Sequence, residues 1–133
     1  MKIKLFALSI CIISVFSLSY ASSNDNTTDY MTKSERQALS GFFQKMQTCQ
    51  NAQVKGNTML YKVYKNGNFC IYEESNKQKG ETMTCKFPLS VAKTYAKNGL
   101  ELNKKILNNT DIKDPFSDKV LMESIVLSGK YCK

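Results

Sequence analysis

The sequence contains no histidine and no tryptophan, only two prolines, and a single arginine, Arg36. Without histidine, His-based triads, imidazole general bases and His-containing metal sites are excluded. One arginine leaves almost none of the bidentate forks that phosphate and guanine recognition favour. The lysines are spread along the chain rather than clustered, so no nucleic-acid partner is expected. Also missing are a Cys-x-x-Cys pair, Gly-x-Ser-x-Gly and a phosphate-cradling glycine loop. Glu73 and Glu74 are adjacent in an extended segment, where successive side chains point to opposite faces and do not cooperate as an acid/base pair. The reading is of a protein that is not an enzyme and uses no cofactor or metal.

What is present starts at the N-terminus. Lys2 and Lys4 precede residues 5–19, which are almost wholly apolar or small, and Ser19-Tyr20-Ala21 sets small residues where a signal peptidase reads them. This is the plan of a secretory signal cut after Ala21, and it directs the chain to the periplasm or outside the cell. The apolar run is shorter than the roughly 20 residues a membrane span needs. Cys11 follows Ile10, where a lipoprotein signal requires a small residue, so lipidation is not expected.

Cleavage there removes Lys2, Lys4 and Cys11, lowering the formal charge from +8 to +6 and leaving Cys49, Cys70, Cys85 and Cys132. Four cysteines in a small exported domain predict two disulfides, with three pairings open. Their wide spacing does not suit an all-cysteine metal site. Residues 22–31 are polar and turn-prone and read as a flexible arm. Residues 32–133 read as a single small domain.

Within it, Thr32 and Glu35 form a capping-box pattern. Leu39, Phe42, Phe43, Met46 and Cys49 then recur at helical spacing, predicting a helix over 33–51. Residues 58–65, Asn66-Gly67 and 68–74 read as a hairpin with a type I′ turn, followed by a third strand over 81–87. A three-residue turn would reverse the faces of the hairpin. With the two-residue turn, Met59, Tyr61, Val63, Cys70, Tyr72, Met83, Cys85 and Phe87 share one dry face, with Glu74 and Glu81 opposite each other in water at its end. Past Pro88, Ala92, Tyr95, Ala96, Gly99, Asn103, Ile106 and Leu107 mark a helix with a break at Asn98-Gly99. Asp114-Pro115 opens a last helix that stops near Gly129, with 126–128 as an alternative edge strand. The fold class is α+β: an N-terminal helix, a three-stranded antiparallel sheet, then two helices, with the helices on the dry sheet face.

The other face of that sheet is mixed. In this register Tyr64, Phe69 and Lys86 form one cross-strand row, and Lys62, Ile71 and Thr84 the next. Aromatics beside lysines suit contacts with a partner. The function expected is a disulfide-stapled binding module or inhibitor that acts on a protein partner by surface complementarity. The alternative is a basic envelope-associated protein that holds anionic lipid or glycan. Facing positions in the register pair Cys70 with Cys85, and elimination then pairs Cys49 with Cys132.

Overall fold

The computed structural model describes residues 31–108 and 117–133. The signal segment, residues 22–30 and Asp114-Pro115 lie outside the described residues.

Helix α1 spans Lys33–Met46. The capping box at its start is complete. Glu35 N–H donates to Thr32 Oγ1 at 3.1 Å, and Thr32 N–H donates to the Glu35 carboxylate at 2.7 Å. The second oxygen of Glu35 accepts from Asn57 N–H at 2.9 Å, which ties the helix start to the loop between the first two strands. Met31, assigned above to the flexible arm, is 4 % exposed and belongs to the core.

The helix ends earlier than its apolar stripe suggests. Cys49 takes φ 51°, the left-handed conformation that usually closes a helix at glycine. This turn releases the backbone into a strand the sequence reading did not contain, β1 at Ala52–Lys55. Strands β2 (Met59–Asn66), β3 (Phe69–Asn76) and β4 (Glu81–Pro88) follow. The sheet is therefore four-stranded, antiparallel throughout, in the order β1-β2-β3-β4. β1 escaped notice because four residues alternating Ala52/Val54 with Gln53/Lys55 are too few to separate from loop by period alone.

The two-residue turn is present but slipped. Asn66 pairs with Phe69, so Gly67 and Asn68 form the turn. Gly67 has φ 59° and Asn68 is not among the positive-φ residues, the sign pattern of a II′ rather than a I′ turn. Moving a hairpin register by two keeps every face and changes every partner. All eight residues assigned to the dry face are accordingly buried. Cys70, however, lies opposite Phe87, and Cys85 opposite Tyr72, so the two cysteines are not facing neighbours.

The disulfides are Cys49–Cys70 and Cys85–Cys132, with Cα–Cα separations of 5.6 and 3.9 Å. This corrects the pairing argued from the register. The first bond fixes the end of α1 to β3. The second brings the C-terminal residues alongside β4, where Thr84 and Lys133 exchange main-chain hydrogen bonds of 3.0 and 2.9 Å.

Helix α2 spans Leu89–Leu107 without the expected break, and α3 spans Lys119–Tyr131, continuing past Gly129 and through 126–128. Its N-cap is Asp118, whose carboxylate accepts from Val120 and Leu121 N–H. Lys105 on α2 reaches Asp118 at 2.9 Å and Glu101 at 3.6 Å. The Lys105 ammonium, donating to Asp118, is held above its usual range. Burial of Asp118 works the other way, but that bond and the N–H groups of Leu121 and Val120 keep its carboxyl below the usual range.

The core lies between the dry sheet face and α1 and α2, with Phe42, Tyr61, Tyr72, Phe87 and Tyr95 in tilted ring contacts. Leu102 and Leu121 close a smaller cluster between α2 and α3. Gly99 on α2 lies against Phe43 of α1, and an added Cβ would stand 2.6 Å from the Phe43 ring. Gly99→Ala is therefore expected to destabilise by about 1–3 kcal/mol, as overpacking does. Gly41 also lies within a helix but has nothing within 4 Å of an added Cβ. Gly41→Ala should instead stabilise by about 0.5–1 kcal/mol through helix propensity. Urea midpoints of both variants check the pair; equal shifts would mean that the Phe43 ring turns aside without cost.

Candidate functional site: the outer face of the sheet

The helices pack on one side of the sheet, and the side chains of the other side are mostly exposed or half-buried. Strand alternation decides which residues these are. On β2 they are Leu60, Lys62 and Tyr64; on β3, Phe69, Ile71, Glu73 and Ser75; on β4, Thr82, Thr84 and Lys86. β1 adds Gln53 beside Lys62 and Lys55 beside Leu60.

The register shift reorders the rows. Tyr64, Ile71 and Lys86 are opposite one another, and Lys62, Glu73 and Thr84 form the adjacent row. Tyr64 and Glu73 lie on a diagonal, and the tyrosine hydroxyl donates to the Glu73 carboxylate at 2.9 Å. That hydrogen bond holds the Tyr64 hydroxyl above its usual range. Ser75 and Thr82 hydroxyls meet at 3.0 Å. Of the five residues singled out from sequence, Lys62 and Tyr64 are half-buried and Lys86 is exposed. Ile71, at 6 % exposure, forms the floor of the face rather than its rim.

Phe69 leaves the centre of the face. It sits at the hairpin end, opposite Pro88, with 36 % of its surface exposed and the Lys86 ammonium 4.3 Å from its ring centroid. The structure thus gathers Tyr64, Ile71 and Lys86 and separates Phe69 from that row.

The face carries three lysines, Lys55, Lys62 and Lys86, against one carboxylate, Glu73. Glu74 lies on the opposite side of the sheet and is fully buried, opposite Met83 and Tyr61 rather than beside Glu81. Its partner is the Tyr72 hydroxyl, which donates at 2.7 Å to one oxygen, while the other oxygen has no hydrogen bond among the described residues. Burial pushes the Glu74 carboxyl up to about 8, against the pull of the Tyr72 hydrogen bond. The sequence reading put Glu74 and Glu81 together in water. Glu81 instead faces Asn76 at the loop end. The two adjacent glutamates therefore lie on opposite sides of the sheet, one bonded to a tyrosine on the outer face and one inside the core.

Among the described residues no three His, Cys, Asp or Glu side chains are grouped to hold a metal ion, and no helix is long and apolar enough to cross a membrane. Comparison with protein-family models, curated proteins and solved structures finds no significant match to this chain.

Proposed function

We propose that the protein is an exported, disulfide-stapled binding module, and that it engages a protein partner through the outer face of its sheet. The observation that supports this is the contrast between the two sides of one sheet. The inner side is filled by the helices, whereas the outer side keeps Tyr64, Lys62, Lys86 and two threonines at a surface that no described element covers. Hydrogen-bonded strands and the Cys49–Cys70 bond fix the backbone beneath that surface, so little ordering entropy remains to be lost on association.

The test is capture of the native protein from its own cell envelope after mild cross-linking. One stoichiometric protein partner is expected with wild type, and the double variant Lys62→Glu/Tyr64→Ser should reduce its recovery at least about tenfold if these residues are contact anchors. The melting temperature of the variant should fall by no more than about 4 °C, since neither side chain is in the core. Undiminished recovery from a folded variant would remove the outer face from the proposal. Salt-labile recovery of lipid or glycan in place of a protein would carry the alternative reading.

A further inference from the structure

A second surface, which shares Lys86 with the outer face but does not rest on the protein-partner reading, lies at the hairpin end of the sheet. Among the described residues only three large hydrophobic side chains are classed as exposed: Phe69, Leu89 and Val126. Strand pairing brings two of them to the same end of the sheet. Phe69 is the cross-strand partner of Pro88, and Leu89, 42 % exposed, follows Pro88 as the first residue of α2.

Three lysines lie near this end. Lys86 stands over the Phe69 ring. Lys65, exposed on the neighbouring strand just before the turn, projects from the helix side of the sheet, opposite to Phe69. Lys93 is exposed one helical turn beyond Leu89, at the i,i+4 spacing that places it on the same side of α2. No acidic residue occurs in 64–72 or in 82–100, so no carboxylate from either segment offsets these charges. Glu74 and Glu81 lie toward the opposite end of the sheet.

We infer that this end of the molecule docks on an anionic membrane surface, with Phe69 and Leu89 entering the headgroup boundary and Lys65, Lys86 and Lys93 contacting lipid phosphates. An aromatic side chain with an ammonium over its ring has the amphipathic character that settles at a membrane–water interface. Each lysine held near an anionic leaflet adds to the attraction, and lysines at the same end as two exposed apolar side chains combine the two signals reversible anchoring needs. The patch is a turn and a helix start at the end of a sheet. Such a shape suits a flat bilayer better than the concave pocket a protein anchor fills.

Because the sequence has no tryptophan, Phe69→Trp places a single tryptophan, excited selectively over the tyrosines, at the site. The protein as isolated from cells, whatever its N-terminus, is mixed with vesicles of phosphatidylcholine alone or with 30 mol % phosphatidylglycerol. Emission from Trp at position 69 should shift to the blue and be quenched by brominated chains only with the anionic vesicles. A control Lys79→Trp, in the loop at the far end of the sheet, should not respond. Adding Lys65→Glu and Lys93→Glu to Phe69→Trp should weaken the response at least about tenfold. Both positions are exposed, so circular dichroism and the melting curve should be unchanged. No shift with anionic vesicles, an equal shift with neutral ones, or an unaltered response in the charge-reversed variant would each overturn the inference. A response to soluble polyglutamate but not to vesicles would also overturn it and assign the patch to an acidic protein.

Discussion

Between pH 5 and pH 9 the protein is expected to lose on the order of 3–5 kcal/mol of stability, most of it through one side chain, Glu74. The carboxyl is fully buried, and its folded-state value of about 8 lies above the ordinary value of 4.5. The sign follows from proton counting. As pH rises past 4.5 the unfolded chain releases this proton, whereas the folded chain retains it until about 8. The folded state therefore binds the extra proton throughout that window, so its stability falls with rising pH and levels off above it. The window is separate from the acid end, where Asp118, with its lowered value, loses its contribution as pH falls. It is also separate from the alkaline end, where Lys105, with its raised value, loses its contribution as pH climbs.

Glu74→Gln is the informative variant. Its carbonyl oxygen still accepts from Tyr72, but the amide N–H groups occupy the side where the native carboxyl has no partner. The protonated carboxyl leaves one O–H donor there and the amide leaves two N–H donors; one further unsatisfied buried donor costs about 1–3 kcal/mol, so the variant should be the less stable protein at pH 5. It has no proton to lose, so the pH slope should flatten and the two stability curves should converge or cross by pH 9. Urea denaturation at pH 5, 7 and 9 decides the matter. Parallel curves for the two proteins would place the titration elsewhere.

This glutamate also shows where the sequence stopped being legible. Side-chain alternation assigned all eight dry-face residues because a strand has a period of two, and any even slip of register leaves the faces intact. It could not assign partners for the same reason. The slip by two takes Glu74 away from Glu81, relieving a like-charge pair at the sheet end, and sets it against Met83 inside the core. The same slip separates Cys70 from Cys85 and moves Phe69 from the middle of the outer face to its end.

The capping box at Thr32 and Glu35 formed as its pattern predicts, although α1 stopped at Met46, short of the end of its apolar stripe. Local signals misled at Asn98-Gly99. Asn98 donates to Glu123 on α3 at 3.2 Å, and Gly99 makes room for Phe43, so tertiary contacts use both residues inside one unbroken helix. Of the outer face, the residue types were legible and their grouping was not. Lys62, Tyr64 and Lys86 lie on it as read, while the row that joins Tyr64 to Ile71 and Lys86 depends on a turn chosen by one glycine, Gly67.

Loss of the Cys85–Cys132 bond is expected to lower stability by about 4 kcal/mol, the largest effect of any covalent change in the fold. The two cysteines are 47 residues apart in sequence, against 21 for Cys49 and Cys70, and the longer loop restrains the unfolded chain more. The shorter loop should contribute about 3 kcal/mol on the same reasoning. Cys132 carries a second role, because its bond holds the Lys133 main chain against Thr84 at the edge of β4. The double variant Cys85→Ser/Cys132→Ser isolates the effect without leaving a thiol to mispair, and its urea midpoint should fall below that of Cys49→Ser/Cys70→Ser.

Cys132→Ser alone then tests the pairing itself. It should leave Cys85 as the free thiol, and since Cys85 is fully buried, alkylation should be slow in native buffer and rapid in denaturant. Lysines lie between every pair of successive cysteines, so tryptic digestion without reduction should yield peptides joining Cys49 to Cys70 and, in wild type, Cys85 to Cys132. A peptide joining Cys70 to Cys85, or a free thiol at Cys49 in the Cys132→Ser protein, would overturn this connectivity. Either result would also restore the register in which those two strands face each other cysteine to cysteine.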